Sequence, residues 1–255
     1  MDVQVSEAGT VTVGPILEVS HLSKSFGAIK AVDDISFTVQ RGEILGIAGP
    51  NGSGKSTLFN AITRIPFSAT SGEVIFDGQP IHRLANNEIA KRGVARTFQR
   101  ESVFPNLSAI DNVLLTVEQT ERALTFQQKL TLAEQTLEIV GFPATLMNWP
   151  AGQLPVFLRK LVMIAGAVAL DPKVLLLDEP ASSLTLEEIE RMRLVIVQVQ
   201  QLGTTVLLVE HVLTLLMAVS DRLMVLDQGQ VIATGAPNDV VNDPAVIEAY
   251  LGAAA

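Results

Sequence analysis

Apolar residues along the chain follow two different periods, and their distribution predicts a mixed α/β architecture. Short segments that alternate apolar and polar residues, or are rich in β-branched ones, predict strands at 16–20, 35–39 and 73–81. Continuous apolar runs, which are typical of parallel strands buried on both faces, lie at 43–49, 173–180 and 204–211. Residues 222–235 predict a hairpin that turns at Gln228 and Gly229.

Helical periodicity replaces this pattern between about residues 86 and 170. Within it, Leu130, Ala133, Leu137 and Val140 recur at spacings of three and four, and Gly141 is a typical helix end. Further helices are predicted at 155–170, 186–203 and 212–220. The predicted organisation is a flexible tail over 1–15, one α/β domain over 16–255, an antiparallel β portion and a helical insert at about 100–170.

Composition narrows the class of protein. The 255 residues are 48% apolar, which is enough for a large core, and the net charge is -9. An acidic chain offers no broad footprint for a phosphate backbone, so nucleic acid is not expected as a ligand. The sequence has no cysteine, no leader-like N-terminus and no apolar run of the ~18–20 residues that a membrane helix needs, and 161–170 comes nearest. These features predict a soluble protein of the cell interior.

A glycine-rich loop between a predicted buried strand and a predicted helix carries the clearest chemical signal. The sequence GPNGSGKST matches the phosphate-binding pattern G-x-x-x-x-G-K-[ST]. Its residues are Gly49, Pro50, Asn51, Gly52, Ser53, Gly54, Lys55, Ser56 and Thr57. Glycines let backbone N–H groups close around phosphate oxygens, Lys55 is expected to reach the β- and γ-phosphates, and Ser56 is expected to ligate Mg²⁺. The alternative is a glycine-rich turn with a chance lysine, which the four fixed positions in this setting disfavour.

A second acidic motif, VLLLDEP, ends another predicted buried strand. Asp178 is suited to hold a hydrated Mg²⁺, and Glu179 is suited to orient or activate an attacking water. Taken alone, the pair has an alternative explanation as an acidic helix start after a core strand. Together with the phosphate loop, the motif predicts a site that binds and hydrolyses a nucleotide.

In the order and spacing of these motifs, the chain resembles the ATP-binding subunits of ABC transporters over roughly residues 16–252. The resemblance implies a P-loop NTPase fold of the ABC cassette type, with ATP and Mg²⁺ as cofactors. It further implies that Phe26 stacks on adenine, that Gln99 reaches toward Mg²⁺ and water, and that His211 contacts the γ-phosphate. Without the resemblance, Phe26 reads as a core residue, Gln99 as a polar loop residue and His211 as a structural histidine at a strand end.

Two segments, GVARTFQ…FPNLSAIDNV and DPAVIEAYLG, resemble the branched-chain amino-acid type of importer ATPase in particular. Urea-transport and lipopolysaccharide-export relatives carry similar segments. The resemblance implies a cytoplasmic protein that is peripheral to the cell membrane. Its implied partners are transmembrane permease subunits, a second ATPase subunit and, indirectly, a substrate-binding protein. The surface around Gln99 and the helical insert is expected to dock a short helix of a permease.

One family motif departs from its pattern. ABC ATPases carry a signature loop of the type L-S-G-G-Q, which binds the γ-phosphate held by the partner subunit, and the matching segment here is LPVFL, residues 154–158. Pro155 lacks both the serine hydroxyl and a backbone N–H. Val156 and Phe157 replace the glycines, so β-carbons and a ring are expected where phosphate oxygens would lie, and Leu158 replaces a polar residue.

Two further departures follow, since Gly166 stands where an arginine is usual and Thr185 where the family has Asp or Asn. Together with the changes in residues 154–158, they predict a heterodimer, in which this chain's phosphate loop pairs with an intact signature loop on a different ATPase subunit. The alternative is a regulatory or pseudo-ATPase subunit that binds ATP without turning it over, and intact Glu179 and His211 argue against it. A soluble ABC protein acting on DNA or ribosomes is disfavoured by the acidic charge and by the lack of twin cassettes or long coiled arms.

Overall fold

The computed structural model describes residues 14–98, 102–120 and 123–252. The strands are β1 (Leu17–Phe26), β2 (Ile29–Val39), β3 (Ile44–Ala48), β4 (Ser71–Phe76), β5 (Gln79–Pro80), β6 (Val94–Arg96), β7 (Val174–Asp178), β8 (Thr205–Val209), β9 (Arg222–Asp227) and β10 (Gln230–Gly235). The helices are α1 (Lys55–Thr63), α2 (Asn86–Lys91), α3 (Ala109–Glu118), α4 (Phe126–Ile139), α5 (Val156–Ala169), α6 (Leu186–Gln201), α7 (Leu213–Val219), α8 (Pro237–Val241) and α9 (Pro244–Gly252). Gln99 and most of the predicted N-terminal tail lie outside the described residues.

A six-stranded sheet forms the centre of the fold, in the order β10-β9-β3-β8-β7-β6. Its strands are parallel except for β10, which pairs antiparallel with β9. The strands β3, β7 and β8 are buried along their whole lengths, as their continuous apolar runs predict. Asp178 and Ile47 both pair with Val209, so the carboxyl ends of three adjacent strands meet at one edge of the sheet.

A second sheet is antiparallel, in the order β2-β1-β4-β5. Helix α1 packs into the core between the two sheets, where Leu58, Phe59 and Ile62 are fully buried with residues such as Val19 of β1 and Leu207 of β8. The opposite face of the central sheet shares a second core with α3 to α7. The helix that follows the phosphate loop is therefore held on two sides, and the α/β class predicted from the sequence is confirmed.

The sequence pattern misses one strand. Residues from about 86 to 170 read as helical, but Val94–Arg96 form β6, which pairs with β7 at the edge of the central sheet. Three residues are too few for an alternating pattern to stand out, and pairing with β7 decides their conformation. The pattern likewise leaves α8 and α9 unpredicted.

The apolar segment 161–170 forms most of α5, which has 14 residues and packs against α3 and α4. A helix that spans a bilayer needs about 20 apolar residues. Across the described ranges, every helix is too short or too polar to cross a membrane.

Candidate nucleotide-binding and catalytic site

The phosphate loop lies between the carboxyl end of β3 and the first turn of α1. Gly49 and Gly54 have φ angles of +146° and +105°, which side chains disfavour. A Cβ atom on Gly49 would lie 2.2 Å from the carbonyl oxygen of Leu226, and one on Gly54 would lie 2.3 Å from that of Ala31. Only glycine fits either position, so the backbone closes into a cradle of the kind that holds phosphate oxygens.

The side chain of Lys55 is held inside this loop. Its ammonium donates hydrogen bonds to the carbonyl oxygens of Gly49 at 2.7 Å and Pro50 at 2.9 Å, and the side chain is buried. Burial lowers the pKa of Lys55, while the nearby charges of Glu179 and Asp178 oppose that shift. The loop therefore combines a desolvated cation with a glycine backbone, and this combination suits a polyphosphate.

Two hard oxygen ligands face each other at the end of β7. Asp178 Oδ1 lies 3.4 Å from Ser56 Oγ, and the Asp178 side chain is almost fully buried. Within the described ranges, no group of three or more His, Cys, Asp or Glu side chains gathers as a metal cage would need. Mg²⁺ usually takes one or two protein oxygens and fills its other positions with water and phosphate, so the pair fits Mg²⁺ beside a nucleotide.

Glu179 follows with a φ angle of +50°, a conformation that a glutamate rarely adopts. Its backbone N–H donates to the carbonyl oxygen of Val209 at 2.9 Å, and its own carbonyl accepts from the ammonium of Lys160 at 3.2 Å. Lys160 also donates to Ser182 Oγ at 2.8 Å. The strained backbone is thus held from β8 and from α5, as is common where a side chain must be aimed at a reacting group.

His211 lies beside the same carboxylate. Its Nδ1 atom is 4.0 Å from Glu179 Oε2 and 3.8 Å from Glu210 Oε2, distances that are too long for hydrogen bonds. The buried carboxylate of Glu210 accepts the backbone N–H groups of Ala181 at 2.5 Å, His211 at 3.1 Å and Val212 at 3.4 Å. Burial raises the pKa of Glu210, and the backbone donors, led by Ala181, oppose the shift. Glu210 therefore ties the segment after Glu179 to the segment that carries His211.

Phe26 lies at the end of β1 and is 46% exposed. Its ring meets the ring of Phe67 edge-to-face, with centroids 5.0 Å apart. The ammonium of Lys24 lies 5.1 Å from the first ring and 4.8 Å from the second. The exposed ring rules out the alternative that Phe26 is an ordinary core residue, and it leaves aromatic surface available for stacking.

Sequence reasoning missed three charged side chains around the site, namely Arg96, Lys160 and Glu210. Each is a charged residue within or beside an apolar segment, and this feature of the sequence could have indicated a buried, paired charge. Arg96 forms a buried ion pair with Asp178, and the other two residues hold the backbone around Glu179 and His211 as described above.

The signature segment does not present all of its apolar side chains to solvent. Helix α5 begins at Val156, and the side chains of Phe157 and Leu158 are buried in the core that α3 to α7 share with the central sheet. The guanidinium of Arg191 lies 4.5 Å from the ring of Phe157. The expectation that this ring takes the space of phosphate oxygens is wrong, because the ring packs inward. The exposed residue at the helix start is Pro155, which has neither an N–H nor a hydroxyl.

Thr185 and Gly166 have local structural roles. Thr185 caps α6, since its hydroxyl accepts the N–H of Glu188 at 3.3 Å and the Glu188 carboxylate accepts the N–H of Thr185 at 2.8 Å. Gly166 faces α3, and a Cβ atom there would lie 3.1 Å from Thr116 Oγ1. The glycine therefore allows close packing between α3 and α5.

Comparisons with known proteins agree with this geometry. The family model for ABC transporters matches residues 32–182, and the model for the branched-chain amino acid ATP-binding cassette transporter matches residues 230–255. The chain is 34% identical to the high-affinity branched-chain amino acid transport ATP-binding protein BraF of Pseudomonas aeruginosa and 33% identical to LivG of Escherichia coli, covering 94% of this chain and 99% of each relative. It is also 34% identical to the lipopolysaccharide export system ATP-binding protein LptB of Haemophilus influenzae, covering 93% of this chain and 97% of the relative.

Solved structures that are similar to this chain are also ATP-binding cassettes. A nucleotide-free ATP-binding cassette from an ABC transporter superposes with a TM-score of 0.82 at 30% identity, covering 93% of this chain and 99% of the other. The dimeric post-hydrolysis state of an ATP-binding cassette bound to ADP and Pi superposes with a TM-score of 0.79 at 26% identity, covering 87% and 98%.

A phosphate loop and an acidic strand end on a parallel sheet, flanked by an antiparallel sheet and a layer of helices, define the class of ATP-binding cassette ATPases. The chain belongs to the ABC transporter ATP-binding family. Within that family, its carboxyl-terminal segment matches the branched-chain amino acid type.

Proposed function

We propose that this chain hydrolyses ATP to power a membrane importer of branched-chain amino acids or of a similar small solute. The observation that carries the proposal is the meeting of the phosphate loop, the Asp178–Glu179 pair and His211 at one edge of the central sheet. Relatives named for branched-chain amino acid transport, which match 94% of the chain, support the solute class. In this proposal the protein lies in the cytoplasm, peripheral to the cell membrane.

The proposed binding step uses the phosphate loop. Its N–H groups and the ammonium of Lys55 bind the ATP phosphates, and the ring of Phe26 stacks on adenine. Ser56 and Asp178 would hold Mg²⁺, and Gln99 would reach toward the same ion and the water beside it. When bound, Mg²⁺ would supply positive charge that offsets the charge of the phosphates.

The proposed hydrolytic step uses Glu179, which directly follows β7, and His211, which lies two residues after β8. Glu179 accepts a hydrogen bond from the attacking water and takes its proton. His211 donates a hydrogen bond to an oxygen of the γ-phosphoryl group. The fixed backbone at Glu179 and the buried carboxylate of Glu210 support this assignment, because both keep the two side chains near each other.

The proposed contact with a permease is the groove between the central sheet and the helices α2, α3 and α5, which has a volume of about 1070 Å³. Among the described residues, its charged lining consists of Lys91, Arg92, Arg96, Asp171 and Lys173. Arg96 is paired with Asp178 and Lys173 with Asp77, so the charges of these two cations are offset within the chain. Apolar side chains such as Leu115 and Val162 line the same groove. This apolar lining fits a short permease helix with an apolar face.

The proposed active assembly is an asymmetric pair of two different ATPase subunits. The exposed Pro155 offers no hydroxyl and no N–H to a triphosphate held by a partner, and the hydroxyl of Thr185 is used in its own helix cap. The backbone N–H groups in the first turn of α5 remain, so the contact is weakened rather than abolished. A second subunit with an intact signature loop supplies what this chain needs at its own ATP site.

The test is an ATPase assay of the chain alone, of the chain with a second cassette that carries an intact signature loop, and of the same pair with Glu179→Gln. We expect little hydrolysis by the chain alone, strong hydrolysis by the pair, and a loss of about a hundredfold with Glu179→Gln. Exposed Glu187 on α6 provides the control Glu187→Gln, which leaves the rate unchanged.

Each arm of this assay has an outcome that contradicts the proposal. A chain that hydrolyses ATP alone as fast as the pair would overturn the asymmetric assembly. A pair that keeps its rate with Glu179→Gln would remove Glu179 from catalysis. That second outcome, with ATP still bound, would favour the regulatory subunit that the weakened signature segment also suggests.

A further inference from the structure

Arg96 is the centre of a buried hydrogen-bond network that involves Asn60, Thr63 and Asp178. Its side chain is 5% exposed, although arginine is rarely buried. Its Nη2 donates to Asp178 Oδ2 at 2.8 Å, and its Nη1 donates to Asn60 Oδ1 at 2.8 Å and to Thr63 Oγ1 at 3.2 Å. One planar guanidinium therefore joins strand β7, which ends in Asp178, to helix α1.

The contacts on α1 lie on a single face of the helix. Ser56, Asn60 and Thr63 are spaced by four and three residues, so their side chains follow one another along that face. The rings of Phe59 and Phe98 lie 5.5 Å and 5.0 Å from the guanidinium carbon and restrict its movement. Arg96 is thus fixed to the same face of α1 that carries Ser56.

The two oxygens of Asp178 are used differently. Arg96 holds Oδ2, whereas Oδ1 lies 3.4 Å from Ser56 Oγ. A carboxylate that is held by one oxygen cannot rotate freely, so its other oxygen keeps its direction toward Ser56. We propose that Arg96 is a positioning residue that sets the affinity of this site for the Mg²⁺–nucleotide complex, by fixing Asp178 Oδ1 opposite Ser56. This inference rests on the proposed function, because it assumes that Ser56 and Asp178 are the ligands of Mg²⁺.

A different role for Arg96 makes the opposite prediction. If Arg96 acted only as a nearby positive charge, it would repel Mg²⁺, and its loss would tighten metal binding. If Arg96 acts by orientation, its loss weakens metal binding, as is usual for residues that orient metal ligands. The lysine substitution separates the two roles, because it keeps the charge but cannot bridge Asp178 and α1 as a planar fork does.

The experiment measures ADP affinity by isothermal titration calorimetry, with Mg²⁺ and with EDTA, for the wild-type chain and for Arg96→Lys. The ratio of the two affinities reports what the protein adds to metal binding, and it needs no catalysis. We expect Arg96→Lys to reduce the ratio about tenfold, while the affinity in EDTA changes less than about twofold. Asn60→Ala, which keeps the Arg96–Asp178 pair but removes one anchor on α1, is expected to reduce the ratio by a smaller factor and provides a milder second variant.

The matched control is Arg222→Lys. Arg222 forms an ion pair with Glu43, at 2.7 Å between Nε and Oε1, near the amino ends of β3 and β9, and its side chain is more exposed than that of Arg96. We expect this control to leave the ratio unchanged, even if it lowers the melting temperature as much as Arg96→Lys does. An unchanged or increased ratio in folded Arg96→Lys would overturn the positioning role. A wild-type chain whose ADP affinity is the same in Mg²⁺ and EDTA would instead contradict the proposed metal site itself.

Discussion

At the scale of single residues, Phe26 is the group whose proposed role is most open to a direct test. Its ring is exposed at the end of β1, and it is steadied by Phe67 and by the ammonium of Lys24. Its 46% exposure leaves part of the ring surface accessible, and a purine is the kind of flat surface that stacks on an aromatic ring.

We expect Phe26→Ala to weaken ATP binding about tenfold, because stacking of a base on an aromatic ring contributes about 1–3 kcal/mol. Binding of inorganic tripolyphosphate, which has no base, should be unchanged in the same variant. Competition titrations with a fluorescent nucleotide measure both affinities, and Phe104→Ala serves as a control at another exposed ring. Equal losses for ATP and for tripolyphosphate would mean that the ring does not contact adenine.

At the scale of elements, the carboxyl-terminal helix α9 contacts the phosphate loop. The hydroxyl of Tyr250 accepts the backbone N–H of Gly49 at 2.9 Å, across 201 residues of sequence. Burial raises the pKa of Tyr250, so the hydroxyl stays protonated and neutral at physiological pH. The segment that matches the branched-chain family model thus completes the hydrogen bonding of the first residue of the loop.

We expect Tyr250→Phe to weaken nucleotide binding about threefold to tenfold. The substitution leaves the Gly49 N–H without its hydrogen-bond partner. An unpaired buried donor destabilises the folded state by about 1–3 kcal/mol. We expect part of this loss to appear as weaker binding of phosphate by the loop. The measurement is the ATP dissociation constant in EDTA, which isolates the loop from the metal. Asn242→Ala is the control, since that side chain donates to the carbonyl of Asn238 within the same terminal region. Wild-type affinity in Tyr250→Phe would show that α9 does not support the loop.

Most elements were predictable from the sequence because their signals are local. The strands β3, β7 and β8 are fully buried and read as unbroken apolar runs, and the phosphate loop has fixed spacing. The strand β6 was not predictable, because only its pairing with β7 makes its three residues a strand. Arg96 was missed for the same reason, since its partners come from β7 and α1 and meet only in the fold.

The inward direction of the Phe157 side chain was also beyond sequence reasoning. A family motif shows which residue types were replaced, but not where the new side chains point. Helix α5 begins at Val156, and the first turn directs Phe157 and Leu158 into the core. Relative to the family's signature pattern, the hydroxyl and the backbone N–H that this segment lacks are therefore those replaced by Pro155.

At the scale of the whole molecule, the proposed asymmetric assembly rests on the difference between the phosphate site and the signature segment. The phosphate loop, Asp178, Glu179 and His211 form a coherent site at one edge of the sheet. The signature segment begins its helix with a proline and has no side-chain cap. We therefore propose that this chain receives a signature loop from a partner and is poorly suited to provide one.

The most direct test of this central claim is sedimentation of the Glu179→Gln chain with Mg²⁺ and ATP, alone and mixed with a cassette whose signature loop is intact. Blocking hydrolysis should preserve any assembly that ATP holds together. We predict that the chain alone sediments as a monomer and that the mixture forms a heterodimer. A stable homodimer of the chain alone, with ATP at both interfaces, would contradict the account.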